Sequence, residues 1–374
     1  MKIVDRHITA RFLWNFAVLF SLLYVFAVSI DVILQLDRFF EAADGAVATG
    51  RFSSRTVALL AAIFNFHGPR VFQFYAYLLG LVTVAAMGFT LAQMHRYREL
   101  TALLSAGMSL RRVALPLLVA SIGLNLLQLA NAEYAIPRLA PMLMREHGDI
   151  LSSGMTGFAV PLTPDSHGRL LMARSFEPAS ESMVGVLVLE RNANGATQRR
   201  ITADRARWDS ASRTWRLENG IGIRRPGSMT DPLEGEILER RTVEAVETDL
   251  DPRALAIRRS ATFAQMLSLA QLRDIEKGGG VDQRIVERAR WTRFTGVIAN
   301  VLILLIALPS FLLREPANLI ARSLECSIVT IGAMLVALVG MTVNLPGVSP
   351  ALGAAIPMIV LAPLAIARIT GTRT

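Results

Sequence analysis

Lysine is almost missing from this chain of 374 residues: only Lys2 and Lys277 occur, and the remaining basic charge is arginine. A phosphate-binding P-loop needs a lysine in a G-x-x-x-x-G-K-[ST] setting, and neither lysine has one, so ATP hydrolysis by that route is excluded. Cysteine is reduced to Cys326. That rules out an internal disulfide and a thiolate metal cluster, and its place in an apolar stretch reads as small-residue helix packing. The five histidines, His7, His67, His95, His147 and His167, include no pair at H-E-x-x-H spacing, and no G-x-S-x-G elbow is present. A membrane zinc protease and an α/β-hydrolase are not expected. The sequence therefore offers no catalytic residue and no metal site.

Charge is also scarce. Charged residues make up 18% of the chain and hydrophobic ones 52%, with a mean hydropathy of +0.43, whereas soluble domains carry about a quarter charged residues. The deficit is uneven. Long stretches are uncharged at both ends, while the middle is rich in Arg, Asp and Glu. The pattern implies membrane at the ends and water in the middle. A net charge of +9 and a pI near 10.6 raise the question of nucleic acid. No basic run is interleaved with aromatics, however, and arginines flanking apolar spans account for the charge. No nucleic-acid partner is expected; membrane lipids are.

The apolar runs give about six spans. The first, from Phe12 to Leu36, follows Lys2, Arg6 and Arg11 and is too long for a signal peptide, so it reads as an uncleaved helix starting in the cytoplasm. Val71 to Met94 forms the second. The apolar stretch from Thr56 to Phe66 precedes it, and one straight helix over both would be about 58 Å long. A break near Pro69 is predicted, with the first piece at or beyond the membrane surface. Val113 to Ala132 is the third span, with Glu133, Pro137 and Pro141 marking its exit. Phe294 to Leu313 is the fourth. The uncharged run from Cys326 to Ala367, broken at Asn344 to Pro350, supplies two more.

Between the third and fourth spans the character changes. Short β-like runs alternate with turn signals: LLMARSF, MVGVLVLER, Asn194-Gly195, RRITADRARWD, TWRLENGIGIRR and Pro226-Gly227. Their spacing fits an antiparallel sandwich or β-roll. Trp208 and Trp215 flank a predicted hairpin turn, and core packing is the expected role of both. The predicted organisation is transmembrane helices 1–3 over residues 1–144, a β domain over 145–260, and a linker helix with transmembrane helices 4–6 over 261–374. Gly278 to Gly280 reads as a hinge in that linker. The arginine-rich segments 96–112 and 314–322 place both loops and both termini on the cytoplasmic side, and the β domain on the other.

Within the first helix, Asp31 and Asp37 are intramembrane or interfacial carboxylates, a functional flag. Asp37 adjoins Arg38, so a solvated or paired group is the simpler reading. The segment RYRELTALLSAGMSLRR permits two readings: a plain cytoplasmic turn whose arginines set topology, or a short helix that docks in a partner's groove.

RYRELTALLSAGMSLRRVALP resembles the LptF/LptG permease family, the membrane subunits of the lipopolysaccharide export ABC transporter. The match rests on Glu99, Ala106, Gly107, Ser109, Arg112 and Pro116. VDRHI, NAEYAIPRLAP and ITADRARWDSASRTWRLENG, with Trp208, Trp215 and Asn219-Gly220, agree in the same order along nearly the whole chain. The resemblance implies an α-helical polytopic membrane protein with six transmembrane helices (3 + 3) and an inserted periplasmic β-jellyroll domain, in the bacterial inner membrane. It implies a cytoplasmic LptB-like ATPase dimer that binds the ATP, so that this chain needs no cofactor. A paralogous permease subunit, LptC/LptA-like periplasmic bridge proteins and lipopolysaccharide are its other implied partners. Arg96, Arg98, Glu99, Leu100, Gly107, Ser109 and Arg112 would form the ATPase-coupling helix. Asp37 and Arg38 become substrate-binding candidates, although relatives carry more than one basic residue where this chain has Arg38. A phosphate-attracting group and an interfacial arginine reaching for water remain equal readings of Arg38. A force-transmitting ABC subunit without transported substrate, or a membrane scaffold, is the alternative. The 3 + 3 arrangement disfavours the former.

Overall fold

The computed structural model describes residues 3–145, 147, 150–151, 157–191, 197–224, 239–259, 261–278, 283–312, 319–342 and 348–370. Its helices in chain order are α1 (Ile3–Leu34), α2 (Leu36–Ala48), α3 (Arg55–His67), α4 (Arg70–Arg96), α5 (Glu99–Ser105), α6 (Leu110–Ala130), α7 (Ile136–Leu143), α8 (Pro252–Arg259), α9 (Ala261–Met266), α10 (Leu269–Gly278), α11 (Gln283–Ala307), α12 (Leu319–Thr342) and α13 (Pro350–Thr370). The chain divides into two compact units. One comprises residues 1–36, 67–138 and 287–374, and the other 37–66 and 139–286.

Among the described residues, six helical stretches are long and apolar enough to cross a membrane: Ile3–Leu34, Arg70–Arg96, Leu110–Leu143, Gln283–Ser310, Ile320–Met341 and Pro350–Thr370. Helices suit this role because every interior backbone group is satisfied within the segment. Leu79, Val82, Met87 and Leu91 of α4 share the first unit's core with Ile8 and Phe12 of α1, Val113 and Leu117 of α6, Ile303 and Leu304 of α11, and Leu361 of α13. On α1, Phe16, Phe20 and Tyr24 follow one another at i, i+4 spacing and stack along one face. Phe16 and Phe20 both meet Tyr75 of α4 edge-on.

The ends of this bundle are distinguishable by their polar contacts. At one end His95 Nε2 lies 2.9 Å from the Phe311 carbonyl. There Arg368 of α13 donates to Ser310 Oγ and to Glu325 Oε1 of α12, each at 3.1 Å. At the other end Arg293 of α11 donates to Glu133 at 2.9 Å, Arg288 donates to the Met341 carbonyl at 2.9 Å, and Asn131 donates to the Phe72 carbonyl at 2.9 Å. The start of α12 and the ends of α4, α11 and α13 therefore share one end, as alternating antiparallel spans require.

The helix break expected near Pro69 is present: α3 stops at His67 and α4 starts at Arg70. Other boundaries differ. The first span begins at Ile3, because Ile8 and Phe12 are buried in the bundle and draw the basic-flanked start into helix. Pro137 and Pro141 do not end the third span. A π-helical turn, Asn131–Ala135, comes just before Pro137, and α7 then carries both prolines. The wider turn relieves the clash a proline ring makes with the carbonyl one turn back. The fourth span starts at Gln283. The predicted turns at Asn194-Gly195 and Pro226-Gly227, glycines 279 and 280, and most of the 313–322 loop and the 344–350 turn lie outside the described residues.

The second unit holds the β domain. Its strands are β1 (Phe158–Pro164), β2 (Leu170–Glu177), β3 (Ser182–Arg191), β4 (Thr197–Asp209), β5 (Thr214–Glu218), β6 (Ile221–Arg224), β7 (Glu239–Thr242) and β8 (Ala245–Glu247). All pair antiparallel as one sheet in the order β1-β2-β3-β4-β5-β8, with β6 joining β4 to β7. This fits the inserted β-jellyroll expected. β5 and β6 run along β4 in a single register, with Trp208 opposite Trp215 and Thr202 opposite Ile221. They are parted only by Asn219, whose φ is 56°, and Gly220. A side chain at Gly220 would lie 2.1 Å from the Val243 carbonyl oxygen, so glycine is required for the neighbouring strand to approach. The core gathers Leu171, Phe176, Met183, Val186, Val188, Ile201, Trp215, Val246, Leu250 and Leu255. Trp215 is fully buried and donates from Nε1 to the Leu250 carbonyl at 2.9 Å.

Helices α2 and α3 belong to this unit. Ala43, Ala46 and Ala58 pack together with Leu151 beside them, and Arg55 pairs with Asp44 at 2.7 Å. Arg145, 3% exposed, donates to Asn65 Oδ1 at 2.6 Å, the Asn65 carbonyl at 2.7 Å, the Ile150 carbonyl at 3.2 Å and the Met142 carbonyl at 3.1 Å. One guanidinium thus ties the end of α3 to the chain entering the β domain.

Candidate functional site

The segment from Arg96 to Arg112 folds as a helix–turn–helix–turn at one end of the bundle. Arg98 caps α5 from the left-handed region, at φ 57°, and its carbonyl still accepts from the Ala102 N–H at 3.0 Å. This sharp corner turns the chain out of α4. At the other end of α5, Gly107 has φ 82°. The Gly107 N–H donates to the Leu104 carbonyl and the Met108 N–H to the Leu103 carbonyl, each at 3.0 Å. That is a Schellman ending, and glycine fits its left-handed position without steric cost. Ser109, extended at φ −75° and ψ 152°, then opens α6; its carbonyl accepts from Arg112 N at 3.0 Å.

This local geometry sorts the side chains of α5. Leu100 is buried, and Leu103 and Leu104 are half-buried against the bundle core. Thr101, Ala102, Ser105 and Ala106 form an exposed face of small residues, with Arg96, Arg98, Gly107, Ser109 and Arg111 exposed around it.

Two ion pairs fasten this segment to the start of α1. Arg11 donates to Glu99 Oε2 at 2.6 Å, and Arg112 donates to Asp5 Oδ2 at 2.6 Å. The polarity alternates: α1 gives a cation to α5 and an anion to α6. A slipped register would face Arg11 with Arg112, so the pairs fix the register. Sequence reasoning did not find Asp5 or Arg11 as members of the site. Their only sign is opposite charge near the two ends of apolar runs, and 88 residues separate Arg11 from Glu99. Arg293 and Glu133, whose pair anchors the π-helical turn through Glu133, were missed for the same reason.

The other two candidates lie elsewhere. Asp37 and Arg38 are exposed at the start of α2, in the second unit, whereas α5 belongs to the first. Asp31 faces His67, with Oδ2 3.4 Å from Nε2. In the β domain, Asp165, His167 and Asp249 cluster. Both Asp165 oxygens and Asp249 already accept hydrogen bonds, from the His167 and Arg169 N–H groups, the Thr248 hydroxyl and the Ser166 N–H. The cluster orders the β1–β2 turn.

Among the described residues outside the spans, two carboxylates depart from ordinary behaviour. Burial pushes the Asp251 carboxyl up, although the Ala254 N–H that it caps works against this. The Ala211 N–H, together with Ser212 and Arg216, holds Asp209 below the usual carboxylate range.

A sequence model of the family described as "Lipopolysaccharide export system permease LptF/LptG" matches residues 6–370. No curated protein matches the chain significantly.

Proposed function

Because the chain belongs to the LptF/LptG family of lipopolysaccharide export permeases, making it a non-catalytic subunit in the bacterial inner membrane, we propose that it extracts lipopolysaccharide from the outer leaflet and passes it to a periplasmic bridge. In this reading a cytoplasmic LptB-like ATPase dimer binds and hydrolyses ATP. A paralogous permease completes the membrane pair, and LptC/LptA-like proteins receive the lipid. The termini and α5 face the cytoplasm, and the β domain faces the periplasm. Arg38, exposed at the start of α2, serves as an attractor of substrate phosphate, with Asp37 beside it.

The observation that carries the reading is the build of α5. A helix of seven residues is marginal by itself, yet this one is bracketed by Arg98 and Gly107, seated by Leu100 and fastened by Arg11, while Arg112 ties the start of α6 to Asp5. It holds a smooth outward face at a fixed angle. A loop that only set topology would need arginines and none of this. The arrangement suits transmission of a push from a partner's groove to α4, α6 and α1 together. Glu99 contributes its carboxylate near the N-terminus of α5, where the helix dipole favours it.

Co-purification with the cognate ATPase in detergent tests this. The wild-type chain should capture the ATPase, and Glu99→Lys should abolish capture while the protein remains folded. Failure of the wild type under conditions in which another permease of this family succeeds would overturn the proposal.

A further inference from the structure

The β domain carries a cavity of about 330 Å³ lined by Glu190, Gln198, Arg199, Gly222, Arg224 and Arg241. Strand register shows which side of the sheet it occupies. Residues opposite one another on paired strands share a face. Glu190 stands opposite Arg199, and Arg199 opposite Arg224. One step along, Val188 stands opposite Ile201, Ile201 opposite Gly222, and Gly222 opposite Arg241. Val188 and Ile201 belong to the domain's core. The three arginines therefore continue the core-facing side of the sheet past its apolar interior to an open rim, where Arg199 is half-buried and Arg224 and Arg241 are exposed.

Like charges directly opposite on neighbouring strands destabilise a sheet, and Arg199 faces Arg224 in that way. Among the lining residues the anion is Glu190, and it is shared: its carboxylate oxygens lie 3.8 Å from Arg199 Nη1 and 3.8 Å from Arg169 Nε. Those separations are longer than hydrogen bonds. Gly222 shapes the floor. A side chain there would come within 2.9 Å of Val243 Cγ2 and 3.0 Å of Arg199 Nε and Nη2, so the guanidinium lies across the bare strand.

We infer that this pocket binds a phosphate group. A phosphate monoester brings up to two negative charges and three acceptor oxygens, which suits several planar guanidinium forks. Bound there, it reverses the sign of the Arg199–Arg224 interaction. The volume falls within the ~300–1,000 Å³ usual for small-ligand sites. The adjoining apolar interior lets the same site take the headgroup of a phosphorylated amphiphile. The inference leans on the proposed function only for which phosphorylated molecule reaches the pocket.

The test uses the full chain in nanodiscs with an environment-sensitive fluorophore on Gln198→Cys, in a Cys326→Ser background. It is titrated with inorganic diphosphate, with a bisphosphorylated glycolipid, and with that glycolipid after dephosphorylation. A saturable response to diphosphate and glycolipid alike supports a site satisfied by free phosphate. A response to the phosphorylated glycolipid alone supports a headgroup site. In both cases Arg199→Gln with Arg241→Gln should weaken binding at least about tenfold. Gly222→Ala, which displaces Arg199 while keeping every charge, should also weaken it. No response to either phosphorylated probe, an equal response to the dephosphorylated lipid, or an undiminished response in the arginine variant would overturn the inference. Because no ATPase is present, failure here leaves the co-purification result untouched.

Discussion

The Arg11–Glu99 pair allows the two possible duties of Glu99 to be separated. It can anchor α5 to α1, or it can contact the ATPase itself. The pair is partly exposed, with side chains 23% and 33% accessible, so its worth to folding is small, roughly 0.2–1 kcal/mol. A charge-assisted hydrogen bond to a partner is worth about 1.5–3 kcal/mol when removed, about a 10- to 150-fold change in affinity. Three variants, Arg11→Ala, Glu99→Ala and the double change, can be titrated against the ATPase with the permease in nanodiscs. Direct contact by Glu99 predicts that Arg11→Ala alters affinity less than about fivefold, that Glu99→Ala costs tenfold or more, and that the double variant matches Glu99→Ala. Equal losses in both single variants, with no further loss in the double variant, would refute direct contact. Glu99 would then act only by holding α5 against α1.

Two further predictions concern the β domain. Trp215→Phe removes the donor to the Leu250 carbonyl and leaves part of a fully buried volume unfilled. It should cost about 2–4 kcal/mol, seen as faster amide hydrogen exchange across β4 and β5, and unchanged exchange there would contradict the assigned core. Asp251 has a raised folded-state pKa. Its contribution to stability is therefore fully present below the unfolded value near 3.8 and is lost as pH rises through the folded value. Asp251→Asn keeps an acceptor for the Ala254 N–H and should flatten that part of the pH profile, measured by thermal unfolding between pH 3 and 7.

The spans were legible because a membrane helix needs only a sustained lack of charge, and Phe12 to Leu36 or Val71 to Met94 declare that without any knowledge of partners. The β4–β5 hairpin was legible from Trp208 and Trp215, whose spacing about a short turn places them opposite each other. Gly107 stood out within the α5 segment, and the structure gives the reason in its left-handed backbone. What escaped was pairing at a distance. Nothing near Arg11 points to Glu99, and nothing near Arg145 points to Asn65. The π-helical turn before Pro137 also escaped, since proline in sequence signals an ending and the backbone here absorbed it. The packing of α2 and α3 with Leu151 left only a trace, in the small residues Ala43, Ala46 and Ala58.

That packing bears on how the protein is made. Residues 37–66 leave the ribosome well before residues 139–151. At about 5–20 residues per second, the intervening segment 67–138 takes roughly 4–14 s to synthesise. Throughout that interval the alanine faces of α2 and α3 have no Leu151 to meet, and Asn65 has no Arg145. The early segment must therefore be kept from wrong associations while two further spans are inserted. Slow codons or an attendant chaperone would exert their largest effect between Phe66 and Leu139, far from the strands whose domain they serve.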